Sequence, residues 1–188
     1  MEAEQYRLLL ELAHEDFSKI LTRNHDIEES VYSVTKRRVI QNVFNSTSIF
    51  PGPRTPNRDD IENGAVCEMR KAGSVLNLDK HCYVLFFGKV AITVAETTRL
   101  EISAEGRFDQ LPVVGINSQI GDPDGGEAQV LDNIFAVRIE QTDLQKLRLA
   151  SADIDMAWSA LFGRRLHEAG VSLPKGFSGV QPPRGRSA

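Results

Sequence analysis

The chain has 188 residues, of which 41% are hydrophobic and 26% are charged, and its net charge is −4 with a pI near 5.6. This composition excludes a largely disordered chain and fits one domain with its own core better than two. The net acidity excludes a global basic field that would draw the protein to nucleic acid or an anionic membrane, although it leaves room for a local basic cleft.

Two helices are predicted at the start of the chain. Apolar residues recur at helical spacing from about residue 3 to 23, and Asn24-His25-Asp26 is expected to end that helix. A second apolar pattern predicts a helix that begins near Ser30 and runs to Phe44. Residues 51–57 carry three prolines and a glycine, which predicts a loop.

The middle of the chain is predicted to be rich in strands. Asn63-Gly64 is typical of a two-residue hairpin turn, with a strand over residues 65–70 after it. Gly88-Lys89 is a second hairpin candidate, between apolar runs at 83–87 and 90–95. A further strand is expected over 99–103, and the turn chemistry of 121–127 predicts a surface loop.

The last third predicts a buried strand followed by helices. The apolar run 134–139 is typical of a strand buried on both faces. Thr142-Asp-Leu-Gln has capping-box spacing, so a helix should begin there. Apolar residues from Ile154 to Leu166 predict a long helix closed by Gly170. This order indicates an α+β fold, layered α/β/α, with a central mixed, largely antiparallel sheet flanked by N-terminal and C-terminal helices.

We expect one domain over residues 1–173 and an extended or disordered arm over 174–188, which is rich in proline, glycine and arginine. The two cysteines, Cys67 and Cys82, form no CxxC motif, which argues against a disulfide framework or a zinc site. The first residues lack the apolar region of a signal peptide, and no apolar run could span a bilayer. A cytoplasmic protein without a membrane partner is therefore expected.

The predicted hairpin at Asn63-Gly64 would place Asp59 opposite Glu68. Like charges in directly opposed positions are destabilising unless they are solvated, protonated or bridged by a cation. A Mg²⁺ ion could bridge them, because it is commonly held by one or two carboxylates. The alternative is a solvent-facing hairpin in which Glu68 pairs with Arg70, its neighbour on the same face.

An acidic residue, a short turn and then Glu-x-Lys on the next strand is the active-site pattern of the PD-(D/E)xK nucleases. Residues 39–44, 50–54, 57–60 and 62–70 resemble the compact type II restriction endonucleases of that superfamily, with a looser match over 133–139 and 142–144. The resemblance implies that Asp59 or Asp60 binds Mg²⁺ together with Glu68. It also implies a homodimer that acts on double-stranded DNA.

The lysine position of this pattern is occupied by Arg70, with Lys71 next to it. Arginine cannot be deprotonated, so it cannot act as the base, although it could stabilise charge on a phosphate. Ordinary strand alternation turns Lys71 to the opposite face, and only a bulge would bring it round. The resemblance therefore implies a nuclease of altered or lost activity.

Basic residues could contact the DNA backbone. Lys36, Arg37 and Arg38 form a basic run on the second predicted helix, and Arg54 lies in the proline-rich loop. A solvated helix face is the alternative for the run. Near the end of the last helix, Arg164-Arg165 complements the helix dipole, which is a structural role.

Two other patterns have a chemical and a structural interpretation. The stretch 122–127 resembles the start of a calcium loop, but Asn133 stands where the twelfth-position Glu belongs, which favours an acidic turn. His81-Cys82 could be half of a nucleophile pair, and a small buried thiol is the alternative.

The function predicted from these patterns is a metal-dependent DNA endonuclease or nuclease-like protein. The alternative is a non-catalytic interaction or assembly subunit, such as a phage or host-interaction protein. It is motivated by the lack of any complete catalytic motif and by the arginine-bearing arm.

Overall fold

The computed structural model describes residues 25–45, 50–51, 56–94, 98–106, 111–116, 124 and 126–171. The predicted helix over 3–23, the loop residues 52–55 and the arm over 174–188 lie outside these ranges. The chain divides into two compact units, residues 1–37 and 38–188, and everything from Arg38 onward is described here as one unit.

The described part contains four helices and seven strands. Helix α1 spans His25–Phe44, and helix α2 spans Pro56–Gly64. The strands follow as β1 Val66–Arg70, β2 Val75–Asn77, β3 His81–Val94, β4 Thr98–Glu105, β5 Val113–Val114, β6 Glu127–Val130 and β7 Ile134–Glu140. Helices α3 Gln141–Ala150 and α4 Ala152–Glu168 complete the order.

All described strands belong to one antiparallel sheet centred on β3. The strand order is β1-β7-β3-β6-β2, with β4 and β5 also paired to β3. The first half of β3 pairs with β7 and β5, and its second half pairs with β4 and β6. Because a single long strand exchanges its partners midway, the sheet curls on itself into a β-roll rather than forming a flat layer.

A bend in β3 makes this exchange possible. The register against β7 shifts between Leu85 and Phe87, and Gly88 follows with φ +98. A Cβ on Gly88 would lie 2.3 Å from the backbone oxygen of Asn133, so the crossing of the two chains requires glycine here. Gly88-Lys89 therefore bends one continuous strand. The hairpin that the sequence predicted at these residues is wrong.

The layered α/β/α prediction with a mixed sheet is wrong, since every pairing described is antiparallel and the sheet is curled. The Asn63-Gly64 hairpin is also wrong, because both residues end helix α2 and the Ala65 N–H donates to the Ile61 carbonyl oxygen. Helix α1 contains His25 and Asp26. The sequence had predicted that these residues end a helix.

Several predicted elements are confirmed. Strands β1, β4 and β7 lie where the alternating and apolar runs placed them, and α4 ends before Gly170, which has φ +68. Helix α3 begins at the predicted place, but Glu140 is its N-cap and makes no side-chain capping hydrogen bond. The capping box at Thr142 is therefore not what starts this helix.

The core joins the roll to the helices. Phe44 at the end of α1 stacks on Phe50 with ring centroids 4.4 Å apart, and Phe50 packs against Trp158 of α4 at 5.8 Å. All three side chains are almost fully buried. Burial of each such aromatic side chain contributes about 2–3 kcal/mol, so this contact fixes α4 to the rest of the unit.

Candidate functional site

The predicted nuclease carboxylates are not opposed in the structure. Asp59 and Asp60 lie on helix α2, whereas Glu68 lies on β1 and pairs with Ala136 of β7. The pairing across Asn63-Gly64 that motivated a shared cation is absent because the chain is helical there. Among the described residues, no group of three or more His, Cys, Asp or Glu side chains is placed to hold a metal ion. Mg²⁺ binding stays a prediction without a described ligand set.

Glu68 is neutralised by arginine. Its carboxylate lies 2.5 Å from Arg70 Nη2 on the same strand and 3.0 Å from Arg138 Nη1 on β7. The predicted pairing of Glu68 with Arg70 is confirmed, but the solvent-facing hairpin that was expected to carry it is not formed. Lys71 is exposed, just after β1 ends. Catalytic roles for Asp59, Glu68, Arg70 and Lys71 are not supported by this arrangement and stay untested.

The predicted DNA-contacting residues are separated along the chain. Lys36, Arg37 and Arg38 have exposed side chains on α1, while Arg54 lies outside the described residues. The structure therefore leaves their predicted role untested. No helix that the structure describes is long and apolar enough to cross a membrane, and the cytoplasmic location stays a prediction.

His81 and Cys82 do not form a nucleophile pair. Neighbouring residues of a strand point to opposite faces, and His81 Nε2 lies 3.2 Å from Glu140 Oε1. Cys82 is fully buried, and burial, followed by the charge of Asp124, raises the pKa of its thiol well above the usual range. Cys82 is therefore a buried neutral thiol.

The structure instead reveals a buried ion pair that connects the segment between β5 and β6 with helix α4. Asp124 is 0% exposed and Arg165 is 6% exposed. Arg165 Nη1 donates to Asp124 Oδ1 over 3.1 Å, and Arg165 Nη2 donates to the Val113 carbonyl oxygen over 2.7 Å. One guanidinium thus binds both ends of the segment 113–124, which we call the β5–β6 segment.

The second oxygen of Asp124 binds the backbone of the same segment. Gly115 N–H donates to Asp124 Oδ2 over 2.6 Å, and Ile116 N–H donates to the same atom over 3.0 Å. The pKa of the Asp124 carboxyl is raised, because burial, together with the charge of Glu168, outweighs the opposite effect of Arg165 and these two backbone donors. Three described donors therefore offset part of the cost of desolvating this carboxyl.

The turn that presents these donors depends on glycine. Gly115 has φ +78, and a Cβ there would lie 2.6 Å from the backbone oxygen of His81. Gln141 Nε2 donates to the Gly115 carbonyl oxygen over 2.7 Å and to the Leu78 carbonyl oxygen over 3.1 Å. The start of α3 thus holds the turn against the roll. We call Gly115, Ile116, Asp124 and Arg165 the carboxylate lock.

Sequence analysis missed the carboxylate lock, although one signal was present. Arg165 lies seven residues after Trp158, within the apolar stripe of α4, and a charged residue in such a stripe indicates a buried partner. We assigned it to the helix dipole instead. Asp124 gave no such signal, because an aspartate among glycines and a proline is typical of an exposed turn.

Comparison with solved structures identifies the fold. The sensor domain of the transcriptional regulator DNR from Pseudomonas aeruginosa is similar to the chain with a TM-score of 0.50 at 14% identity, covering 70% of this chain and 91% of that one. The regulatory domain of Toxoplasma gondii PKA, crystallised with cAMP, gives a TM-score of 0.48 at 15% identity, with 72% and 51% covered.

Catabolite Activator Protein from Thermus thermophilus gives a TM-score of 0.43 at 15% identity, covering 69% of this chain and 60% of that one. No protein-family model matches the chain, and no curated protein matches it. The likeness to the DNR domain shows the fold, a curled antiparallel β-roll with a few helices. The resemblance to PD-(D/E)xK restriction endonucleases is therefore wrong, and with it the prediction of a metal-dependent endonuclease or hydrolase.

Proposed function

We propose that the chain is a non-catalytic regulatory module in which the state of the β5–β6 segment is transmitted to helix α4. This is closer to the alternative of a non-catalytic interaction subunit than to any enzyme. The observation that carries the proposal is the carboxylate lock, since Arg165 of α4 binds both Val113 and Asp124.

The physical argument rests on the burial of both charges. Removing one partner of a buried charge is costly, because the group that remains is desolvated. Any event that moves Asp124 must therefore either move Arg165 or leave it with the Val113 carbonyl oxygen and the exposed carboxylate of Glu168, 3.6 Å from Arg165 Nε. A change in the β5–β6 segment is in this way coupled to the last turn of α4, where Arg165 lies.

The fold supports a regulatory role. The DNR domain is the sensor domain of a transcriptional regulator, and the PKA domain is a regulatory domain solved with cAMP. We propose a ligand of the same chemical type, an anionic nucleotide or another small anion, for the roll of this chain.

Hydrogen exchange tests the coupling. In the variant Arg165→Met, we expect the amides of Gly115 and Ile116 and the last two turns of α4 to exchange together, at least about tenfold faster than in the wild type, because they share one interaction. The matched control is Arg148→Met, which removes a partly exposed pair with Asp155. If α4 loosens while both amides keep their wild-type rates, the segment and the helix are not coupled and the proposal fails.

Double-stranded DNA and a homodimer also remain proposals. Support for DNA comes from the likeness to the sensor domain of a transcriptional regulator and from the exposed basic run on α1. A gel-shift at low salt should show binding that weakens when Lys36, Arg37 and Arg38 are all changed to alanine, because phosphate contacts dominate such affinity. Sedimentation equilibrium tests the dimer, and a single monomeric species would contradict it.

A further inference from the structure

The donors of the carboxylate lock have the arrangement of an oxyanion-binding site. Two consecutive backbone N–H groups, of Gly115 and Ile116, point to one oxygen, and a guanidinium binds the other. Successive backbone N–H groups at a turn form concave sites for anions, and guanidinium groups bind carboxylate and phosphate oxygens alike. Nothing in this donor set is specific for a carboxylate that belongs to the same chain.

The donors are held in place independently of Asp124. The Gly115 carbonyl oxygen accepts from Gln141 Nε2, and Tyr83 of β3 pairs with Val114 just before the turn. Arg165 is also held by its bond to the Val113 carbonyl oxygen. Removal of the Asp124 side chain would therefore leave these donors in place around the space of one carboxylate, with the exposed Glu168, 3.6 Å from Arg165 Nε, as the other carboxylate near the guanidinium.

We infer that Gly115, Ile116 and Arg165 form an oxyanion-binding site that the chain fills with its own Asp124, so that an external phosphate group binds there only when Asp124 is absent or displaced. The inference deepens the proposed function and rests on it for the link to α4. It has a direct consequence for ligand response: the native chain should not be stabilised by cAMP or by inorganic phosphate through this site, because Asp124 already binds the donors.

The test is thermal unfolding of the full chain in which Asp124 is changed to alanine. We compare chloride, inorganic phosphate and cAMP at matched ionic strength, with each anion present from before the first heating cycle. Phosphate stabilises most proteins by exclusion from their surface, so the quantity measured is the shift of each variant minus that of the wild type. We expect phosphate to raise the midpoint of Asp124→Ala by at least about 3 °C more than that of the wild type, as expected for specific binding to the folded state of a chain of this size.

Two controls isolate the site. Asp143→Ala removes an aspartate on α3 that pairs with Lys146, and it should respond to phosphate like the wild type. The double variant Asp124→Ala/Arg165→Met lacks the guanidinium and should lose the extra shift. An extra shift with cAMP larger than that with phosphate identifies a nucleotide as the source of the anion; equal shifts indicate the phosphate group alone.

Asp124→Ala could fail to fold in chloride. If it then folds in phosphate while Asp124→Ala/Arg165→Met does not, the inference is supported, and if it folds in neither, Asp124→Ser replaces it. An absence of any extra phosphate shift in the folding variant overturns the inference. That result leaves the proposed function standing if Arg165→Met still loosens Gly115, Ile116 and α4 together, so the two failures are distinguishable.

Discussion

Replacement of Arg165 by methionine gives the most direct measure of the carboxylate lock. The change keeps an unbranched side chain of similar length and removes the guanidinium from Asp124, which is 0% exposed and retains two backbone donors. Breaking a buried ion pair by removing one partner destabilises by about 3–5 kcal/mol, because the remaining charge stays desolvated. We therefore expect the free energy of unfolding to fall by that amount. Urea denaturation, followed by the fluorescence of Trp158, the only tryptophan in the chain, measures it.

A second arginine–aspartate pair, between Arg148 of α3 and Asp155 of α4, provides the control. Arg148 lies 2.8 Å from Asp155 of α4, whose side chain is 51% exposed. An exposed pair of this kind contributes about 0–1 kcal/mol, so Arg148→Met should have a small effect. In a double-mutant cycle of Arg165→Met with Asp124→Asn, the coupling energy should be about 1–3 kcal/mol. An Arg165→Met loss no larger than that of Arg148→Met, or strictly additive changes in the cycle, would refute the reasoning.

Three further predictions concern the turn, the thiol and the charged strand pair. Gly115→Ala should lower the free energy of unfolding by about 2 kcal/mol or more, because φ is positive and the new Cβ would lie only 2.6 Å from a backbone oxygen. The control Gly73→Ala, where φ is similar but the space is open, should lower it by about 1 kcal/mol. Because the pKa of Cys82 is raised in the folded chain, the thiol of the unfolded chain ionises first as the pH rises. The free energy of unfolding should therefore be constant below the usual thiol pKa of 9.0 and decline above it by up to about 1.4 kcal/mol per pH unit. Cys82→Ala should reduce this decline. Arg138→Met should destabilise by about 1–2 kcal/mol in urea titrations, since Glu68 keeps Arg70; a loss near 4 kcal/mol would contradict that pairing.

The elements that could be predicted from sequence are those defined by local periodicity. The apolar run of β7 and the stripe of α4 each match a repeat of two or 3.6 residues, and both lie where that repeat placed them. The hairpin turns predicted at Asn63-Gly64 and Gly88-Lys89 are wrong, because glycine is suited equally to a turn, a helix end and a bend in a strand. Which of these forms is decided by contacts with distant strands, such as the approach of Asn133 to Gly88.

The candidate site could not be predicted for a related reason. Asp124 and Arg165 are 41 residues apart in the chain, and no local repeat connects them. From the sequence, the opposed carboxylates of Asp59 and Glu68 were predicted to share a bound Mg²⁺ ion. The structure supplies the partner from within the chain, both for Glu68 with Arg70 and Arg138 and for Asp124 with Arg165.

The pairs of Glu68 and the pair of Asp124 with Arg165 differ in their exposure to solvent, and this difference bears on function. Arg70 is 43% exposed, so solvent can screen Glu68 and compensate for the loss of a partner. Asp124 and Arg165 are buried, and the other carboxylate near Arg165, that of Glu168 at 3.6 Å, is 62% exposed, so the loss of either partner is compensated less. A signal at the β5–β6 segment can therefore be transmitted to α4 through Asp124 in a way that no rearrangement around Glu68 could match. The energetic difference between the two pairs is the physical basis for proposing that the carboxylate lock, and not the Glu68 pair, couples the β5–β6 segment to α4.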